Sequence, residues 1–176
     1  MSRAQGALDA APSLMPASPP VNTTTALDSR QISLPDPAAT LAFGRRLGAM
    51  LEVGDIVCLS GNLGAGKTSL ARGAIEAWTG QPEEAPSPTY TLVQTYEGAK
   101  GELWHVDLYR LKRPDDAWEL GLEDAFAEAA CLIEWPERLE NQLPANRLDI
   151  ALSPEGEGRN AALTAHGAWR TRLATI

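Results

Sequence analysis

Residues 61–68 read Gly61-Asn62-Leu63-Gly64-Ala65-Gly66-Lys67-Thr68, the spacing G-x-x-x-x-G-K-[ST] of a phosphate-binding loop. Each residue type has a task in that chemistry. Glycines let the chain wrap so that successive backbone N–H groups point inward at phosphate oxygens without a Cβ in the way. Lys67 sets a point charge on the β and γ phosphates of a nucleotide. Thr68 offers its hydroxyl to Mg²⁺ at the positive end of the helix that follows. The nucleotide-contacting candidates are therefore Gly61, Asn62, Leu63, Gly64, Ala65, Gly66, Lys67, Thr68 and Ser69.

Such a loop needs an acid to hold the metal and orient water. Cys131-Leu132-Ile133-Glu134 has the form of a Walker B strand, apolar residues ending in a carboxylate. An ionised carboxylate at the end of a buried strand is costly unless a cation or hydrogen bonds compensate it, which makes Glu134 the metal partner, directly or through water. Asp107 is the rival acid. Alternation along Leu103 to Leu108 puts His105 and Asp107 on one face and Trp104, Val106 and Leu108 on the other; a His and an Asp so placed are either a site or the solvent side of a sheet. Ser87-Pro88-Thr89-Tyr90-Thr91 is open to two readings as well: a switch in which Thr89 senses the γ phosphate, or ordinary β-forming residues. Trp135 either covers the site or caps the sheet edge.

The elements around these residues follow from periodicity and caps. Asp36 is a suitable N-cap and Pro37 suits the first turn of a helix whose apolar face is Phe43, Leu47, Met50 and Leu51. Ile56 to Leu59 is a short, wholly apolar strand, and Leu70, Ala74, Ile75 and Trp78 mark an amphipathic helix ended near Gly80. Thr89 to Glu97 and Leu103 to Leu108 form a hairpin around Gly98 and Gly101. Pro114 to Ala130 is helical in two pieces broken at Gly121, and Cys131 to Glu134 is a buried strand. Leu148 to Leu152 and Asn160 to Thr164 are closing strands before a short C-terminal helix. The pattern is an α/β sandwich of P-loop NTPase-like type, with a mixed parallel and antiparallel central sheet.

Composition bounds the function. The chain has 176 residues, 44% hydrophobic and 22% charged, with 15 Lys and Arg against 23 Asp and Glu for a net charge of −8. That length suits one compact domain. Residues 1–25 hold 15 Ala, Pro, Ser or Thr, and no aromatic residue precedes Phe43. Residues 1–32 are accordingly expected to be a disordered tail, and residues 33–176 the folded ATPase domain. The longest apolar run is Ala129 to Ile133, too short for a membrane span, and no apolar segment follows Arg3 as in a signal peptide. An acidic chain without a basic cluster is not expected to bind nucleic acid strongly. Its two cysteines, Cys58 and Cys131, make neither a disulfide framework nor a zinc site, which suits a cytoplasmic location.

Four segments in order, GNLGAGKTSLARG (61–73), SPTYTLVQTYEG (87–98), WHVDLYRL (104–111) and CLIEWPERL (131–139), resemble the bacterial TsaE family, the small ATPases of tRNA threonylcarbamoyladenosine synthesis. LPDPAATLAFGRRL (34–47) resembles the family's opening helix. The resemblance runs from about residue 33 to the carboxyl end. It implies Mg²⁺-dependent ATP hydrolysis and work with the TsaB and TsaD proteins, which transfer a threonylcarbamoyl group to an adenosine beside the anticodon. It makes Thr68 and Glu134 the metal residues, Asp107 a further catalytic or coordinating residue, and Thr89 part of a switch. It also brings Arg159, within Gly158 to Ala161, near the adenine, with Pro37 among the nucleotide-contacting residues. Asn62 stands where the family commonly has an acid, at a position that faces away from the phosphates.

Two other functions stay open at this point: a small-molecule P-loop kinase, and a scaffold whose nucleotide only orders the switch. Arg110 and Arg113 are not accompanied by a lid-sized insertion, which weighs against the kinase.

Overall fold

The computed structural model describes residues 28–82 and 91–176. Seven strands form one sheet in the order β1-β7-β6-β2-β5-β4-β3: β1 (Ser29–Leu34), β2 (Ile56–Ser60), β3 (Val93–Gly98), β4 (Gly101–Asp107), β5 (Ala130–Glu134), β6 (Arg147–Glu155) and β7 (Gly158–His166). The four inner strands β6, β2, β5 and β4 are parallel, and the pairs toward both edges, β1–β7, β6–β7 and β3–β4, are antiparallel. This is the mixed α/β sheet that the alternation of apolar runs and turns predicts.

The inner strands are apolar on both faces because both are covered. Val57, Leu59, Leu132 and Leu148 pack toward helices α1 (Pro37–Met50) and α2 (Lys67–Thr79), with Phe43, Leu47, Leu70 and Ile75. Ile56, Cys58, Cys131 and Ile133 pack on the opposite side with Leu122 and Ala125 of α3 (Leu122–Glu128) and with Leu139. Both thiols are buried there. Burial pushes Cys58 up and Cys131 up to about 12, so neither is a thiolate or a partner in ligand chemistry.

α1 begins as its sequence predicts: the Asp36 carboxylate accepts from Ala39 N at 2.7 Å, with Pro37 in the first turn. The expected break at Gly121 is present with a left-handed φ of 82°, but the piece before it, Pro114–Leu120, is a 3₁₀ helix. α4 (Trp169–Arg172) and a last 3₁₀ turn close the chain.

One boundary differs from expectation. Residues 1–27 of the expected tail lie outside the described residues, whereas Ser29–Leu34 is an edge strand paired with β7 from Ser29↔Thr164 to Leu34↔Arg159. Backbone pairing, which no side-chain pattern announces, holds it; Ser29, Arg30, Gln31 and Ser33 are exposed, and only Ile32 and Leu34 reach the core. Residues 87–90 of the switch segment lie outside the described residues, Thr89 included, and β3 starts at Val93.

α2 carries the end of the phosphate loop, and its seat on α1 depends on absent side chains. A Cβ on Gly44 would overlap the Leu70 carbonyl oxygen, one on Gly48 the Ala74 carbonyl oxygen, and one on Gly73 the Leu41 carbonyl oxygen. The two backbones therefore touch. Gly44→Val is expected to push them apart and destabilise the fold by about 2 kcal/mol or more, read from urea denaturation. An unchanged midpoint would show that the close approach carries no stability.

Candidate functional site

β2 ends at Ser60, and the chain turns through 61–66 into α2. Gly61 has φ 137°, and a Cβ there would lie 2.5 Å from the Leu152 carbonyl oxygen, so β6 itself forces glycine at the first turn of the loop. Gly66 caps α2 in the left-handed region with no side-chain hydrogen bond to the helix terminus. Leu70 N is satisfied by Gly66 O at 2.9 Å; the amides before it have no acceptor within a helix that starts at Lys67. A helix start left uncapped by side chains at the floor of a cleft presents free backbone N–H groups, the arrangement that attracts anions in general.

That cleft has a volume of about 300 Å³ and is lined by Leu63 to Ser69, Asp107, Tyr109, Arg110, Glu134 and Trp135. A neighbouring cavity of about 120 Å³ is lined by Asp36, Pro37, Thr40, Gly64, Gly66, Ser69 and Glu157 to Arg159. The two share Gly64, Gly66 and Ser69, so one loop separates the larger compartment from the smaller. Pro37 and Arg159, remote in sequence from the loop, line the second compartment together. Asn62 is exposed, as expected for a residue that faces outward, whereas Leu63, 72% exposed, stands at the rim of the cleft that it lines.

Lys67 Nζ donates to Gly61 O at 2.7 Å and Asn62 O at 3.0 Å, and it sits 4.2 Å from the centre of the Trp135 ring. Its pKa is pushed down by burial, opposed by the charges of Glu134, Glu137 and Asp107. A partly desolvated ammonium held on carbonyls and a ring face is poised for stronger, anionic acceptors. Trp135 reaches this position from a left-handed backbone, φ 58° and ψ 50°, and its ring lies 4.9 Å from that of Tyr109. Such a conformation in a bulky residue costs of order 1–2 kcal/mol. Trp135 therefore covers the site; of the two roles open to it, the sheet-edge cap is not the one observed.

The acids gather on the loop side of the sheet. Parallel pairing sets Leu59 opposite Glu134 and Asp107 opposite Glu134 on the other flank. Thr68 Oγ1 donates to the Glu134 carboxylate at 3.1 Å to Oε1 and 3.2 Å to Oε2. Glu134 is 2% exposed and His105 1% exposed, and His105 Nε2 lies 2.8 Å from Glu134 Oε1. Asp107 Oδ1 accepts from Tyr109 N at 3.0 Å. The face bearing His105 and Asp107 is thus buried against the site and is not the solvent side of the sheet. The alternation of β4 marks those two residues; their distance from Glu134 depends on the order of the strands.

Arg159 stands where the loop needs support. Its Nε donates to Ala65 O at 2.9 Å and its Nη2 to Gly64 O at 3.1 Å, tying β7 to the loop. Thr68, Glu134 and Asp107 offer oxygen donors, the set a hard cation such as Mg²⁺ takes. Among the described residues no cluster of three or more His, Cys, Asp or Glu side chains could hold an ion by itself, so a cation here would draw further ligands from phosphate and water, as Mg²⁺ does.

The sheet order, the loop and the acid at the end of the neighbouring strand define an α/β protein of the P-loop NTPase-like class. The model of the family described as threonylcarbamoyl adenosine biosynthesis protein TsaE matches residues 34–161, and the chain belongs to that family. Among its relatives, a tRNA threonylcarbamoyladenosine biosynthesis protein TsaE of Rickettsia bellii is 37% identical over 132 residues, 75% of this chain and 87% of the relative. The protein of the same name from Bacillus subtilis is 36% identical over 134 residues, 75% of this chain and 83% of the relative. The crystal structure of Bacillus subtilis YdiB superposes with a TM-score of 0.69 at 30% identity, covering 84% of this chain and 92% of that one. Among the described residues no helix is long and apolar enough to cross a membrane.

Arg159→Ala removes both ties to the loop while leaving the sheet intact. The expected result is an ADP affinity lower by about tenfold, from lost charge-assisted hydrogen bonds, with little change in the melting temperature of the free protein. Calorimetric titration beside a thermal melt checks it; unchanged affinity would free Arg159 of that role.

Proposed function

We propose that this chain is a Mg²⁺-dependent ATPase that acts in the cytoplasm with the TsaB and TsaD proteins in threonylcarbamoylation of the tRNA adenosine beside the anticodon. The observation that carries the ATPase reading is the contact of Thr68 with Glu134 at 3.1 Å, which brings the hydroxyl at the start of α2 and the acid at the end of β5 to one point beside the loop. Family membership supports the pathway and the partners.

The residues divide the work. Backbone N–H groups of 64–68 cradle the phosphates, and Lys67 leaves the Gly61 and Asn62 carbonyls to neutralise β and γ oxygens. When bound, Mg²⁺ supplies Lewis acidity at those oxygens. Thr68 and Glu134 would hold it. Asp107, lining the same cleft, orients the attacking water. Pro37 and Arg159 border the compartment for the nucleoside, and Thr89, by resemblance, reports the γ phosphate. The acidic charge of −8 fits a component that leaves tRNA to its partners.

ATP turnover measured with and without the two partner proteins tests this reading. Turnover that rises with the partners supports it; phosphate passed to a small molecule would indicate a kinase, and no turnover under any condition would indicate a nucleotide-gated scaffold. Lys67→Ala is expected to lower hydrolysis by at least about tenfold. Glu134→Gln keeps the side chain's shape but not its charge, so nucleotide binding should largely survive while hydrolysis falls steeply. Should Asp107→Asn abolish turnover and Glu134→Gln leave it intact, the two acids would exchange roles.

A further inference from the structure

The histidine of β4 has no part in the reading above, yet its side chain touches the acid on which that reading turns. His105 Nε2 lies 2.8 Å from Glu134 Oε1, with both side chains buried. His105 Nδ1 is also buried and has no hydrogen-bond partner among the described residues. An ionised carboxylate only accepts, so the proton of this contact sits on Nε2, and Nδ1 keeps its lone pair. An acceptor left unpaired is the cheaper orphan, since a buried N–H without a partner is rarer still.

Thr68 also donates to Glu134, and its two lone pairs let it keep that bond while it faces a cation, but at 3.1 Å from Oε1 and 3.2 Å from Oε2 its hydroxyl does not select which oxygen turns to the cation. Lys67 contributes charge rather than a hydrogen bond, its Nζ being directed to Gly61 O and Asn62 O. A buried carboxylate held by the Thr68 hydroxyl alone is free to rotate and exchange its two oxygens. We propose that His105 is a positioning residue: its Nε2–H holds Glu134 Oε1 through the whole nucleotide cycle, so that Oε2 stays aimed beside Thr68 at the cation site. This rests on the reading of Glu134 as the metal residue. His105 itself touches neither cation nor nucleotide.

Mn²⁺ binding to the full chain with ADP, followed by electron paramagnetic resonance, tests it without reference to turnover. ADP affinity in chelator and a thermal melt are measured for each variant. His105→Leu removes the donor, and Mn²⁺ affinity of the ADP complex should fall by about tenfold or more, the range for lost partners of metal ligands, while ADP affinity in chelator stays within about threefold. His105→Gln extends an amide donor to nearly the same point and should restore Mn²⁺ affinity to within about threefold of wild type. If His105→Leu does not fold, His105→Asn takes its place, because its amide stops short of Glu134 and should lose Mn²⁺ like the leucine variant. Two results overturn the proposal: Mn²⁺ affinity unchanged in the variant without a reaching donor, or His105→Gln as weak as that variant. Failure of the underlying reading is seen separately, as wild-type Mn²⁺ affinity that Glu134→Gln does not alter.

Discussion

Parallel pairing of β2 with β5 fixes the distance between the turn that leaves one strand and the carboxylate that ends the other. Leu59 stands opposite Glu134, and Trp135 N donates to Leu59 O at 3.2 Å, so the backbone just before the loop is tied to the backbone just after the acid. β4 pairs on the far side of β5 with Asp107 opposite the same glutamate. Three consecutive strands of a parallel sheet therefore deliver a phosphate loop and two acids to one edge, where the crevice at strand ends is the natural place for a ligand. The apolar runs Ile56 to Leu59 and Ala130 to Ile133 are what make these strands central, and their burial on both faces is what makes the edge rigid.

Rigidity there has a cost, because Lys67, His105, Asp107 and Glu134 are all buried. Each is compensated by another: the ammonium by loop carbonyls, the Trp135 face and nearby carboxylates, the glutamate by Thr68 and His105, the aspartate by the Tyr109 amide. A buried network of this kind is stable only while every member keeps its partners. On the proposed function, phosphate oxygens and a cation would offer the same members stronger partners, so binding would replace weak internal contacts without breaking a packed core. The left-handed Trp135 and the glycine-only turn at Gly61 are the strained points that keep the loop in this arrangement.

How much of this was legible in the sequence depends on how local each signal is. The loop is contiguous and its spacing is chemical, so Gly61 to Thr68 could be read directly, as could the α1 cap at Asp36 and the apolar strands beside the loop. Glu134 was legible because an acid closing a buried run is costly without a partner. The roles of His105, Trp135 and Arg159 depend on contacts separated by 29, 68 and 94 positions along the chain: with Glu134, Lys67 and Ala65. Strand order decides those contacts, and no periodicity records strand order. The edge strand Ser29–Leu34 escaped for a related reason: its polar side chains look like the tail before it, and only backbone pairing to β7 distinguishes it. For the first 3₁₀ piece, the hydrogen-bond pattern is finer than apolar spacing can specify.

On the proposed function, the edge formed by the loop and Glu134 is a site for ATP with Mg²⁺. Equilibrium titration of the wild-type chain with ATP, in magnesium and in chelator, measures this most directly. Saturable single-site binding that tightens when magnesium is present is the expected result. Absence of binding at millimolar ATP, or an affinity the same with and without magnesium, would contradict it.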